Sequence, residues 1–389
     1  MTSGRLLFAA EDAMERALDA VTSAKAAATS LFWPRRKSDL SGHACHCRPG
    51  TPFHLVHSEG LREGCDVVVD FGANVRSRRR YQVPVEALAG VAADFEAGDI
   101  IHVKAELLRA FLEHVFPRVR VPIVLVTGDS DYAPVSKHQD ILQDERIVHW
   151  FAQNCDAPFR HRKLTPIPIG IDNPIYTKPE KRIGFLFDIL AGKSRFDPTL
   201  SRNDMGDQTH LQSVAKQIAR AVGEKPAKAL CTFHMNQKLV PNFQNIPDRL
   251  EAYQVLRSSP DCHFVARRLP QDECWRLHAD FAFEISPRGN GLDCFRTWEA
   301  LVLDTIPIVK TTPLDPLFED ENFPVVVVRS YAEITAEALR RWKAEKQELF
   351  TPDMKRRLTN DYWLEKIRAA SAPLRGGRKF AGQLQPSPV

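Results

Sequence analysis

One stretch, Phe283 to Val309 (F-E-I-S-P-R-G-N-G-L-D-C-F-R-T-W-E-A-L-V-L-D-T-I-P-I-V), limits the folds open to this chain. An apolar strand over Phe281 to Ile285 breaks at Ser286-Pro287-Arg288-Gly289-Asn290-Gly291. A helix follows from about Asp293 to Asp304, then a second strand over Ile306 to Val309. Strand, glycine-bearing turn, helix and strand in immediate succession make a unit of a parallel α/β sheet. In such a sheet the turn lies at the carboxyl end of a strand, where open sheets place ligands. It also lies at a helix amino terminus, whose unpaired N–H groups attract anions. The turn is therefore expected to hold a nucleotide diphosphate.

The remainder of the chain fits two such α/β units. Residues 1–50 comprise an alanine-rich helix (5–32) and a basic loop containing Pro34-Arg35-Arg36-Lys37 and His43-Ala44-Cys45-His46-Cys47. Four possible metal ligands within five residues cannot readily surround one tetrahedral ion, and no second Cys-x-x-Cys follows, so this is read as a surface loop. Residues 51–175 form the first α/β domain. Its strands are expected at Phe53–His57, Asp66–Phe71, Asp99–Val103, Val121–Val126 and Ile147–Asn154, with a helix over Ala105–Phe116. Short apolar runs separated by helical segments signal buried parallel strands. Pro166 and Pro168 keep the segment after Leu164 out of a central ladder position. Residues 176–224 are a linker and connecting helix, and residues 225–345 a second α/β domain. Carboxyl-terminal helices (346–372) cross back, and the basic, Pro- and Gly-rich tail (373–389) is expected to be disordered.

Composition narrows the function classes. With 53 basic and 49 acidic residues the net charge is +4, too balanced for obligate nucleic-acid binding but compatible with a local anion site. Eight scattered cysteines do not resemble the disulfide framework of a small secreted domain. No stretch approaches the roughly 20 apolar residues of a membrane span. The expectation is a cytoplasmic protein with reduced thiols, without a membrane span, for which peripheral membrane association stays open. The first domain carries no GxGxxG, so a dinucleotide site of that kind is not indicated.

A nucleotide-sugar presents two phosphates and a ribose diol. Phosphates call for arginine forks and helix amino termini, for which Arg249, Arg288 and Arg296 are the candidates. Ser286 and Asn290 belong to the same turn, and Gly289 and Gly291 are expected to allow close backbone approach and positive φ. A ribose diol calls for a carboxylate. Glu299, three residues after Arg296, projects from the same helix face. Trp298 and Phe295 are read as core and Cys294 as a structural thiol. Tyr331 and Glu333 are placed at the border of the cleft, and Asp248 as the cap of the helix that carries Arg249.

Ser286-Pro287-Arg288-Gly289-Asn290-Gly291, then Arg296, Glu299-Ala300-Leu301 and Ile306-Pro307-Ile308-Val309, resemble the donor-binding signature of exostosin-like glycosyltransferases, in the branch that includes the ribitol xylosyltransferase type. The match covers this segment, with weaker agreement at Ile167-Pro168-Ile169-Gly170-Ile171-Asp172 and Arg249. The resemblance implies two Rossmann-like domains facing across a cleft (the GT-B arrangement). It implies a nucleotide-sugar donor, most often a UDP-sugar, in the second domain and a glycan or other hydroxyl acceptor mainly in the first. Such enzymes invert the anomeric centre and do not strictly need a metal. Animal exostosins are membrane-anchored and lumenal, whereas this chain shows no anchor, which points to a bacterial- or viral-type cytosolic enzyme.

Inverting transfer needs a base for the acceptor hydroxyl and cationic help for the departing diphosphate. The arginines supply the second. For the first, Asp131 and Asp129 lie at a strand end facing the expected cleft, with His57, Glu59 and His149 as alternatives. Asp129-Ser130-Asp131 also has the spacing of a metal-binding D-x-D, which would hold Mn²⁺ in a single-domain, metal-dependent transferase. It lies in the wrong half of the chain for the diphosphate of a two-domain one. A GDP-fucose-type transferase, a pyruvyl or phosphate-group transferase, and a non-catalytic nucleotide-sugar-binding subunit of a polysaccharide assembly complex are the other readings.

Overall fold

The computed structural model describes residues 55–69, 92–172, 208–233, 247–265 and 269–378. The helix expected over 5–32, the basic loop, the connection from 173 to 207 and the tail beyond 378 lie outside these residues.

Two five-stranded parallel sheets carry the architecture. The first contains β1 (Val67–Val69), β2 (Ile100–Lys104), β3 (Ile123–Gly128), β4 (Ile147–Ala152) and β5 (Leu164–Pro166), in that order across the sheet. The Val/Ile-rich strands β1, β2 and β3 are buried almost throughout, as a parallel sheet covered on both faces requires. β5, with its proline, is confined to the edge. The second sheet contains β6 (Ala229–Cys231), β7 (Cys262–Phe264), β8 (Phe283–Ile285), β9 (Ile306–Lys310) and β10 (Val326–Val328), in the order β10-β9-β8-β6-β7. The chain steps from β6 outward to β7, then returns past β6 to β8. That reversal makes the gap between β6 and β8 a topological switch point, where doubly wound sheets open a crevice beyond their carboxyl ends. The described strands of the first sheet run in sequence order and contain no such reversal.

Nine helices are named here: α1 (Ser58–Glu63), α2 (Gln208–Gln217), α3 (Pro247–Leu256), α4 (Gln271–Leu277), α5 (Phe295–Val302), α6 (Asp315–Asp320), α7 (Ala336–Lys346), α8 (Pro352–Arg357) and α9 (Asn360–Ser371). The single helix expected over 105–116 is instead a run of short pieces. A 3₁₀ turn (Ala105–Leu107) leads through Leu108–Ala110 into a π-helical turn, Phe111–Val115. A π turn aligns residues five apart. Here it brings Phe111 and Phe116 to the same side, both buried, with ring centroids 6.4 Å apart. The helix expected over 352–370 divides at Leu358-Thr359, because the Thr359 hydroxyl caps α9 by accepting from Tyr362 N.

The carboxyl-terminal helices cross back. α9 lies against α1, β2, β3 and β4, burying Trp363 and Ile367, and Val56 N donates to Leu358 O at 2.7 Å. The expectation of disorder from residue 373 fails as far as Arg378. Buried Arg375 pairs with Asp66, and Arg378 pairs with Glu96 and Asp99. Burying an arginine requires such a partner, and both are supplied by the first sheet's loops. One apolar cluster runs from the first sheet through Trp363 into Trp275, Trp298, Phe318 and Phe323 of the second unit. A smaller one, including Phe283, Ile308 and Tyr331, involves the second sheet. The junction between the sheets is therefore packed.

Gly170 joins β5 to the strand-like segment 55–57 with φ of +70°, and a Cβ there would lie 1.9 Å from Val56 O. Gly376 has φ of +55° with nothing within 4 Å. Gly376→Ala is expected to lose about 1 kcal/mol, the conformational cost alone. Gly170→Ala must also displace backbone and is expected to lose several-fold more, as read from the two denaturant midpoints.

Candidate functional site

The turn 286–293 leaves the carboxyl end of β8 at the switch point and ends at the amino terminus of α5. Backbone and side chains hold it from several directions. Ser286 N donates to Ile308 O at 2.9 Å, and the Ser286 and Thr297 hydroxyls are 2.9 Å apart. Arg288 N donates to Asp248 Oδ2 at 2.8 Å, and Arg249 Nε donates to Arg288 O at 3.1 Å. Asp248 therefore clamps the turn rather than capping α3, which starts one residue earlier at Pro247.

The two glycines do not serve as expected, since neither has positive φ. A Cβ on Gly291 would lie 2.6 Å from Asn154 Oδ1, so Gly291 is needed for close approach by a side chain of the first domain. A Cβ on Gly289 would meet only Arg249 Nη2, at 3.5 Å.

Arg249 and Arg296 close on the turn from α3 and α5. Arg296 Nη1 lies 3.4 Å from both Pro287 O and Cys294 Sγ, and its Nε donates to Thr232 Oγ1 at 3.2 Å. Burial, then the nearby Arg296 guanidinium, lower the pKa of Arg249. A partly buried guanidinium disfavoured by a second one beside it forms a site that an anion stabilises. Arg288 lines a narrow cleft with Ser286, Asp293, Thr297 and Lys310, and its guanidinium makes no hydrogen bond or ion pair among the described residues. The cleft has a volume of about 10 Å³, room for about one water. Glu299 is buried and accepts from Gln271 Nε2 at 3.1 Å; burial pushes its carboxyl up to about 7.

Across the junction, the carboxyl ends of β3 and β4 face this turn. Asp131 is exposed and accepts from Asn290 Nδ2 at 3.2 Å, whereas Asp129 accepts from Arg62 Nη1 at 2.9 Å and lies 3.5 Å from Lys104 Nζ. The two carboxylates thus diverge: Asp129 is engaged within its own sheet, and Asp131 reaches the second domain. The alternative bases are placed less favourably. His57 is buried, its Nδ1 within 3.0 Å of Leu55 O and the amides of Gln208 and Asn360. His149 Nε2 is 2.8 Å from Thr165 Oγ1, and burial lowers its pKa to about 4. Glu59 lies in α1, its side chain outside the described residues. Tyr331 is core, its hydroxyl pKa raised by burial and then by cleft-lining Asp248, and Glu333 accepts from Ser330 N in a capping box.

Four residues that matter here have no local sequence signal or only a weak one. Asp293 is buried; its oxygens accept from Ile169 N, Cys294 N and Trp298 Nε1, while Asp293 N donates to Asn154 Oδ1 at 2.8 Å. Burial pushes its carboxyl up to about 6. Asn154, at φ of +48°, also donates to Ser130 O at 2.8 Å, so one amide joins both sheets' loops. Thr232 and Glu284 lie directly beneath the arginines. The charged residue inside the apolar run Phe283-Glu284-Ile285 was the available signal, whereas Asn154 depends on pairing 139 residues away.

No protein-family model matches the chain, and no curated protein matches it. Among solved structures, α,α-trehalose 6-phosphate synthase from Burkholderia multivorans is 11% identical with a TM-score of 0.36, covering 74% of this chain and 75% of that one. Anabaena HepE in complex with UDP is 12% identical with a TM-score of 0.37, covering 75% and 82%. A glycosyltransferase from Rickettsia africae is 13% identical with a TM-score of 0.30, covering 77% and 79%. At these scores the likenesses decide nothing about this site.

The Gly291–Asn154 contact is testable by a double-mutant cycle. Asn154→Ala is expected to lose about 2 kcal/mol, because it unpairs buried Asp293 N and Ser130 O. Gly291→Ala should lose 1 kcal/mol or so in the wild-type background and clearly less in Asn154→Ala, where the clash is gone. Additive losses in denaturant titration would remove Asn154 as the reason for the glycine.

Proposed function

We propose that the protein is a glycosyltransferase that moves a sugar from a nucleoside-diphosphate donor to a hydroxyl acceptor, with inversion. The observation that carries this reading is the convergence of Arg249, Arg288 and Arg296 on one turn at a switch point, opposite an exposed carboxylate on the other sheet. The turn and the amino terminus of α5 suit a diphosphate, which needs several N–H donors and cationic charge at once. A UDP-sugar is the expected donor and a glycan the expected acceptor, with the exostosin-like signature residues as the donor-side set. A cavity of about 330 Å³, lined by residues including Phe159, His161, Arg162, Pro313 and Pro316, shares the segment 312–320 with the donor cleft and is wide enough for a sugar ring.

In this reading Asp131 takes the proton of the acceptor hydroxyl. The acceptor oxygen forms its bond to the anomeric carbon from the face opposite the diphosphate, and the carbon–oxygen bond to the diphosphate breaks. The leaving group gains negative charge, which Arg288 and Arg296 stabilise in a site poor in water. The arginines supply the charge that a divalent metal provides in other transferases, so turnover is expected to survive EDTA. Asp129 acts indirectly, holding Arg62 and Lys104 beneath the β3–β4 loops. The donor must part the narrow cleft to enter.

UDP is expected to raise the melting temperature more than GDP, CDP or ADP, by mass action on the native state. Arg288→Ala should weaken UDP binding at least tenfold. Asp131→Asn should leave UDP affinity near wild type and lower kcat by about 10²- to 10⁴-fold, the usual contribution of a general base. Full turnover in Arg288→Ala and Glu299→Ala would overturn the donor site, and UDP binding without transfer to any acceptor would favour a non-catalytic subunit.

A further inference from the structure

Beneath the arginines lies a carboxylate that the transfer chemistry does not itself require. Glu284, in the middle of β8, is 0% exposed. Its Oε1 accepts from Thr232 Oγ1 at 2.6 Å and Thr232 N at 3.3 Å, and lies 3.6 Å from Arg296 Nε. Its Oε2 has no hydrogen-bond partner among the described residues, with His278 Nε2 3.9 Å away. The charged and titratable groups facing it come from every element around it: Arg296 and Glu299 on α5, Cys231 on β6, Cys274 on α4, and His278 just after α4. Burial lowers His278 to about 3 and raises Cys274 to about 11, so both are neutral near pH 7, and burial raises Cys231 as well. Glu299 is the other carboxyl in reach of Arg296. Arg296, with only 15% of its side chain exposed, is thus the cation that Glu284 faces.

An ionised Glu284 and a bound anion would compete for one guanidinium in a site with little water. Three charges, two of them negative, are poorly accommodated there. A neutral Glu284 removes the competition. Its Oε1 still accepts from Thr232, its Oε2 carries the proton, and the Arg296 charge is left to the ligand. We propose that anion binding at Arg296 and protonation of Glu284 are one event, so that a nucleoside diphosphate enters this site together with a proton taken from solvent. The inference rests on the donor-site reading above and adds a pH-dependent control to it.

Burial already brings Glu284 part of the way, raising its carboxyl from 4.5 to about 8, against the pull of Arg296 and Thr232. The sign follows from linkage. A ligand that prefers the protonated form binds best below about pH 8 and loses affinity as pH rises through that value. The same shift makes the buried carboxyl progressively costlier to the fold from pH 4.5 up to about 8. Glu284→Gln, which keeps an acceptor for Thr232, removes both dependences.

The test is calorimetric titration of UDP into the full chain, wild type and Glu284→Gln, at pH 7 and pH 9. If one proton is obligatory, Glu284 adds about a tenfold fall in wild-type affinity between these values, while Glu284→Gln keeps only the slope that the nucleotide's own titration and Glu299 impose on both proteins. Measured near pH 8 in two buffers of different ionisation enthalpy, the wild type should take up about half a proton per nucleotide bound, because Glu284 is about half protonated there. This second measurement needs no variant and stands even if Glu284→Gln does not fold. An equal pH slope in both proteins, or no proton uptake by the wild type, overturns the proposal and leaves the donor site standing. Proton-linked UDP binding without sugar transfer supports the proposal and overturns only the transferase reading. No UDP binding at pH 7 overturns both.

Discussion

The carboxylate of Asp293 is the point at which the two halves of the molecule become one. Desolvating a carboxylate costs several kcal/mol unless donors surround it. Here the donors come from β5's exit (Ile169), from the helix start (Cys294) and from the indole of Trp298. Its backbone N–H is fixed in turn by Asn154. The turn that carries Arg288 is therefore positioned by the opposite sheet as much as by the strand it leaves. A carboxyl raised to about 6 shows that these donors offset the burial only in part.

The same logic governs the arginines. Cationic groups are held close together at the switch point by hydrogen bonds from their own guanidinia to backbone carbonyls of the turn. In this arrangement Arg249 is disfavoured by burial and by Arg296 beside it, whereas Glu284 and Glu299 favour Arg296. The apolar core that runs through the junction provides the rigidity that keeps Arg249 in this position.

Much of this was legible in the residues. Phe283 to Val309 folds as strand, turn, helix and strand because its apolar positions change period at the Pro-Gly break, and the first sheet was traceable as buried Val/Ile runs, the second as short apolar runs of mixed residues. The site was legible where chemistry and chain position coincide, as in Arg288, Arg296 and Glu299 on one short segment. It was not legible where meaning comes from distant partners. The glycines suggested positive φ, but Gly291 yields its space to Asn154. Asp129 and Asp131 were equivalent on paper, and only Arg62, Lys104 and Asn290, brought in from elsewhere, tell them apart. The π turn at Phe111–Val115 answers to packing beneath the sheet, which no local propensity encodes.

The return of residues 359–378 to the first sheet also bears on how the molecule is made. β1 to β5 leave the ribosome before the second sheet, yet their sheet is closed by Thr359, Asn360, α9, Arg375 and Arg378, which are made after it. The second sheet has all its described strands by Val328. Synthesis therefore runs against the usual order in which the amino-terminal unit folds first. The early half must wait with its apolar strand faces uncovered while the later half assembles, so a nascent chain halted before residue 359 is the species most in need of a chaperone.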